Sequence, residues 1–163
     1  MTPITRPQIV AAARQWLGTP YLHQGRVKGA GVDCAGLVVG IAHQLGLSTF
    51  DTLAYGRLPS GNALRGLLAA HAIPTTGPWL PGQIALLRFD TEPAHLGVLA
   101  IYPGASVVVP ASSPILSPFM SLIHAYSHTG CVTEHRLADV WRARVVERIE
   151  FPFELSSLTL IEV

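Results

Sequence analysis

The sequence predicts an α+β fold in which N-terminal helices pack on an antiparallel sheet. Three observations carry this expectation. The first part of the chain places apolar residues at helical spacing. From "LPGQIALLRF" onward, short β-branched or apolar runs are separated by Gly and Pro, which is strand patterning. Nearly half of the 163 residues are apolar and 13% are charged, which suits one domain with a real core and leaves too little chain for two.

Each element has its own signal. Thr5 and Gln8 stand at capping-box spacing ahead of Ile9, Val10, Ala13, Trp16 and Leu17, which share a helical face up to Gly18. "TPYLHQGRVKGAG" reads as a loop with one short extended piece. Asp33 is a good N-cap for a second helix, with Leu37, Val38, Ile41, Ala42 and Leu45 on its buried face and Gly46 closing it. "GNALRGLLAAHA" is a shorter third helix. "QIALLRF", "HLGVLAIY", "SVVVP", "LIHAY" and "CVTEHRL" read as strands. Two stretches stand outside this plan, the proline-rich "PASSPILSPFMS" (110–121) and the C-terminal "FELSSLTLIEV" (153–163). Each is either a docking segment or a piece that folds back on its own domain.

Composition removes several functional classes. The formal net charge is +1 and no basic run carries interleaved aromatics, so nucleic acid is not an expected partner. No apolar run approaches the length of a membrane span. "MTPITRPQIV" has no basic n-region followed by an apolar h-region, so the expectation is synthesis in a cytoplasm without a signal peptide, with delivery by something else. Cys34 and Cys131 do not form a disulfide scaffold or a zinc spacing, although a single bridge between them stays open.

Cys34 is the residue that raises the question of chemistry. In the first turn of a helix it lies near free N–H groups and the positive end of the dipole, which favour the thiolate. Asp33 beside it works the other way. A nucleophile there needs a base from elsewhere, and the alternative is a small packing residue. Among the seven histidines, His43, His71, His128 and His135 read as surface or internally satisfied groups. His95 opens a strand at the sheet's end, where a helix terminus can meet it. His124 lies between apolar neighbours on the next long strand. Cys34, His95 and His124 thus supply a nucleophile, a base and an orienter, with a metal-ligand role for the two histidines as the alternative.

The longer pattern carries a resemblance. "WLGTPYLHQGRVKGAGVDCAGLVVGIAHQLG" is similar to the Cys-bearing half of the NlpC-like cell-wall cysteine peptidases, a papain-like superfamily. "PGQIALLRFDTEPAHLGVLA" resembles that family's Pro-Gly-Asp strand and its following His strand, and "LIHAY" its third-residue strand. "PYLHQGRVKGAGVDCAGLV" and "VTEHRLADVWRARVV" resemble the subgroup carried in phage tail modules and gene transfer particles. The resemblance covers residues 5 to about 152. It implies an NlpC-like peptidase domain over residues 1–152, interrupted by the 110–121 insertion, with 153–163 as an extension.

The resemblance also implies roles. Cys34 matches the nucleophile, His95 the general base and His124 the residue that orients it. Tyr21 matches a tyrosine whose hydroxyl lines the site, with a core aromatic as the alternative. Asp33 matches an acidic residue that helps bind the free amine of a substrate L-alanine. Gly36 fits a close approach between helix and sheet. The implied reaction is hydrolysis of the amide between D-γ-glutamate and the diamino acid of a peptidoglycan stem peptide, with no metal or other cofactor. Ala35 replaces the usual serine after the nucleophile, which weakens the expected requirement for a free N-terminal alanine. Gln83 stands where aspartate is common, and the insertion between the two histidine strands is longer than usual.

Two functions follow as expectations. One is a virion-borne cysteine endopeptidase that opens the cell wall during delivery, with tail-tip or baseplate proteins as partners. The other is a structural tail-tip component with a vestigial or assembly-gated site. An acyltransferase of the same superfamily is disfavoured, because the histidine precedes the cysteine in that branch.

Overall fold

Caps start the first two helices, and nearly continuous apolar runs mark the central strands. A computed structural model of the chain describes residues 3–57, 63–104 and 119–151. The expected strand "SVVVP", most of the 110–121 insertion and the 153–163 extension lie outside those residues.

Helix α1 (Arg6–Arg14) starts at Thr5 with the expected capping box, Gln8 Oε1 accepting from the Thr5 N–H at 2.8 Å. It ends at Arg14, earlier than the apolar spacing suggests, so Trp16 is buried from the turn that follows while Leu17 is 42% exposed. The expected loop 19–31 contains a minimal antiparallel pair, β1 (Arg26–Val27) and β2 (Gly31–Val32). Helix α2 (Cys34–Gln44) follows, and Gly46 just beyond its end takes a positive φ of 67°. Helix α3 (Ala63–His71) completes the N-terminal group.

The main sheet has six strands: β3 (Ile73–Thr75), β4 (Ile84–Arg88), β5 (Pro93–Ile101), β6 (Met120–Tyr126), β7 (Cys131–Arg136) and β8 (Val145–Glu150), in the spatial order β3-β8-β4-β5-β6-β7, all antiparallel. A short helix α4 (Asp139–Arg142) precedes β8. The α+β expectation therefore holds. Strands β3 and β8 and helix α4 were not expected. Strand β8 lies inside the sheet, between β3 and β4, despite reading "VVERIE". Its carboxylates are paired, Glu147 with Arg65 and Glu150 with both terminal guanidinium nitrogens of Arg6, and Arg148 donates to the Gly77 carbonyl at 2.7 Å.

Both faces of the sheet are covered, which is why β4 and β5 are apolar nearly throughout. Ile84, Leu86, Leu96, Val98 and Ile123 face α1 and α2, meeting Ile9, Leu37 and Ile41. Ala85, Leu87, Leu99, Met120 and Leu122 form a second core on the opposite face, under Trp79 and Trp141. Each fully buried Leu or Ile contributes roughly 1.5–3 kcal/mol by leaving water. Strand β6 pairs with β5 only between Val98–Ile101 and Met120–Ile123. Before Val98 the two strands are free to hold side chains between them. No helix of the described residues is long and apolar enough to cross a membrane.

Candidate active site

The start of α2 is set by Asp33, whose extended backbone (φ −106°, ψ −177°) and side chain cap the helix, Oδ1 accepting the Gly36 N–H at 2.8 Å. Gly36 is required there. A Cβ on it would overlap the Gly25 carbonyl oxygen and come within 2.8 Å of an Arg26 guanidinium nitrogen. Cys34 is consequently the first residue of the helix, half-buried, and its side chain enters a cavity of about 600 Å³. Tyr21, Asp33, Ala35 and His95 line the same cavity, so the expected catalytic and substrate-binding residues meet there with the exception of His124, which does not line it.

Asp33 does more than cap. It is 2% exposed and also accepts from the Gln24 N–H at 2.6 Å and the Tyr55 hydroxyl at 2.9 Å, with an Arg26 guanidinium nitrogen at 3.4 Å. Gln24 reaches this carboxylate from a left-handed backbone conformation, φ 57°, that non-glycine residues seldom adopt. Its side chain in turn donates to the Leu53 and Tyr55 carbonyls at 2.7 and 2.9 Å, tying the 51–57 loop to the cavity wall. Tyr55 and Arg26 were not singled out from the sequence, because neither lies in a periodic segment or near Asp33 in a recognisable spacing.

Burial dominates the thiol. It pushes Cys34 up to about 11. The Leu96 N–H hydrogen-bonds toward the sulfur and opposes the rise, Asp33 adds to it, and the Ala35 and Cys34 N–H groups oppose it weakly. Tyr21 is also raised, by burial and then by the proximity of Cys34 and Asp33.

His95 is 8% exposed, and burial lowers its imidazole to about 4. Its Nε2 lies 2.7 Å from Nδ1 of His124, which is fully buried and held well below the usual histidine range by burial and by the neighbouring rings. Gly97 makes room for this meeting. A Cβ there would come within 2.6 Å of Leu122 Cδ1 and 3.2 Å of His124 Cβ. Tyr126 stacks on His124 at 5.1 Å and Trp141 stands edge-on at 5.1 Å.

A further histidine joins them. His135 Nε2 lies 3.0 Å from His124 Nε2, and His135 Nδ1 lies 2.9 Å from the Arg136 carbonyl oxygen. The sequence reading placed His135 among the surface or satisfied histidines. Strand arithmetic contained the missing signal: Leu122 pairs with His135 and His124 with Thr133, which puts His135 diagonal to His124 on one face. Of the other three, His43 bonds the Phe50 carbonyl at 2.9 Å, His71 stacks on Phe50 and His128 stacks on Tyr126. The ring nitrogens of His95, His124 and His135 address one another, and among the described residues no three His, Cys, Asp or Glu side chains converge as metal ligands. Both cysteines are free thiols, so no bridge joins Cys34 and Cys131.

Gln83, where aspartate was the common residue, is 1% exposed and donates to Glu150 Oε1 at 2.9 Å while accepting the Leu80 N–H at 3.0 Å. An amide suits this position because its partner is already a carboxylate.

No protein-family model matches the chain, and no curated protein matches it. Solved structures do. An NLP/P60 family protein from Staphylococcus aureus, described as similar to a lipoprotein, superposes with a TM-score of 0.55 at 13% identity, over 92% of this chain and 43% of that one. The NlpC/p60 domain of the peptidoglycan hydrolase SagA superposes with a TM-score of 0.52 at 16% identity, over 91% of this chain and 100% of that one. The chain thus spans less than half the length of the staphylococcal protein. At these identities the likeness is one of fold, and the fold is that of NlpC/P60 proteins.

Proposed function

We propose that this NlpC/P60-like fold carries a cysteine endopeptidase that hydrolyses peptidoglycan stem peptides at the D-γ-glutamyl–diamino acid amide. The observation that carries the reading is the placement of His95. One ring nitrogen is held by His124, and the residue lines the same cavity as Cys34. The structural neighbour described as a peptidoglycan hydrolase supports the substrate class.

In this mechanism the His95 Nδ1 takes the thiol proton as the Cys34 sulfur attacks the amide carbon. The Cys34 N–H and the start of α2 hold the oxyanion. Imidazolium His95 then gives its proton to the departing amine, leaving a thioester on Cys34. Water, deprotonated by His95, releases the acid and restores the thiol. Tyr21 lines the acyl side of the cavity. Asp33 takes the amine of an N-terminal alanine only in competition with the donors it already has, and Ala35 offers that amine no hydroxyl. The site therefore accepts stem peptides whose N-terminus is not free.

The sequence resemblance carries the setting: a phage tail tip or gene transfer particle, made in a host cytoplasm and acting in the cell wall, with residues 1–152 as the peptidase unit. Burial, which raises the Cys34 thiol, supports the second reading, an assembly-gated component. Product analysis tests both. Peptidoglycan and a free L-Ala-D-γ-Glu-diaminopimelate peptide are incubated with the folded protein, and products are identified by mass spectrometry. Cleavage at the glutamyl bond, with the polymer cut at least as well as the free peptide, is expected. Intact substrates would favour the gated component.

A further inference from the structure

The His95, His124 and His135 rings form one continuous relay that ends on a backbone carbonyl, and that end determines the direction of every bond in it. The Arg136 carbonyl oxygen accepts only, so the His135 Nδ1 2.9 Å away carries a hydrogen. In a neutral ring this leaves His135 Nε2 as an acceptor. His124 Nε2, 3.0 Å from it, must then be the donor, which leaves His124 Nδ1 as an acceptor. His95 Nε2, 2.7 Å from that atom, must donate. This is the single assignment of three neutral rings in which each contact has one donor and one acceptor. It leaves the lone pair of His95 on Nδ1.

We propose that His135 is a positioning residue: through His124 it sets the His95 tautomer, so that the basic nitrogen of His95 is Nδ1, the one not engaged by His124. Packing keeps the rings in register. Trp141 of α4 lies against both His124 and His135, at centroid distances of 5.1 and 4.6 Å, and Tyr126 stacks on His124 at 5.1 Å while meeting Trp141 edge-on. His124 is fully buried, so water does not compete for its nitrogens and the choice of tautomer passes to its two ring partners. Without His135, either nitrogen of His124 can carry the hydrogen. When Nδ1 carries it, His95 Nε2 becomes the acceptor and the hydrogen of His95 moves to Nδ1, where it blocks the base. The inference rests on the peptidase reading for its kinetic consequence and stands on the hydrogen-bond geometry for the tautomers.

The test is long-range proton–nitrogen NMR on protein labelled with 15N-histidine, near neutral pH, for the parent, His135→Phe and His135→Gln. The expected parent pattern is hydrogen on Nε2 of His95 and His124 and on Nδ1 of His135. His135→Phe keeps a ring under Trp141 but removes the acceptor, and should mix the tautomers of His124 and His95. His135→Gln supplies an amide oxygen and should restore them. In stem-peptide hydrolysis, His135→Phe should lower kcat by roughly ten- to a hundredfold with KM unchanged, and Gln should recover most of the loss. Hydrogen on Nδ1 of His124 in the parent, or unchanged tautomers in His135→Phe, would overturn the relay. Altered tautomers with unchanged kcat would overturn the positioning role. A parent without hydrolytic activity but with the expected tautomers would leave the relay standing and remove the peptidase reading.

Discussion

His95 and His124 meet, Nε2 to Nδ1 at 2.7 Å, just beyond Val98 and Ile123, the residues at which the β5–β6 ladder stops. The strands part where the site needs space, and Gly97 supplies it. This pair should be divisible by mutation. His124→Asn keeps an oxygen that can accept from His95 Nε2–H, whereas His124→Ala leaves that donor without a partner in a buried gap. Hydrolysis should fall by about a hundredfold in the alanine variant and by less than tenfold in the asparagine variant. Parent-like rates in His124→Ala would remove His124 from the mechanism.

Cys34 and His95 both rest uncharged. With Cys34 raised to about 11 and His95 lowered to about 4, neither ionises in the interval between. Alkylation of Cys34 by iodoacetamide, followed by peptide mapping to separate it from Cys131, should be slow at neutral pH and climb steadily into the alkaline range. A fast, pH-independent rate from pH 5 to 8 would instead reveal a preformed thiolate–imidazolium pair.

Buried neutral histidines also predict acid lability. Unfolding exposes His95 and His124, which then titrate near their ordinary value of about 6.5. The folded His95 resists protonation down to about 4, and His124 resists in the same direction. Between those values the unfolded state binds more protons, so stability present above pH 6.5 is lost as the pH falls toward 4. Urea midpoints should decline across that window in the parent, and decline less in a His124→Gln variant. Equal slopes for the two would show that other groups govern the acid limb.

Gln83→Asp, which restores the residue common in the resembled family, should destabilise this chain. It exchanges a donor for a second carboxylate beside buried Glu150 and leaves the Leu80 N–H with a shorter partner. A cost of about 1–3 kcal/mol in urea denaturation is expected. A neutral or stabilising effect would mean that Arg6 and Arg148 absorb the added charge.

The parts legible in the sequence were those with local signals. The Thr5–Gln8 cap, the Asp33 cap with Cys34 behind it, and the two apolar strands that carry His95 and His124 all follow from spacing within a few residues. Strand β8 was illegible because its charges are neutralised by Arg6 and Arg65, far away in the chain. Tyr55 reaches Asp33 from an irregular segment, and Arg26 from a two-residue strand too short for any periodicity to mark. His135 reads as a surface or internally satisfied group because it stands in or near a turn, and its partner emerges only when the hairpin is paired residue by residue.

Cleavage of purified peptidoglycan by the parent, Cys34→Ala and Cys131→Ala is the most direct measurement of the proposed chemistry. The parent and Cys131→Ala should release the same glutamyl-bond products, and Cys34→Ala, folded as shown by circular dichroism, should release none. Undiminished cleavage by Cys34→Ala would overturn the assignment of Cys34 as the nucleophile and, with it, the peptidase mechanism built on His95.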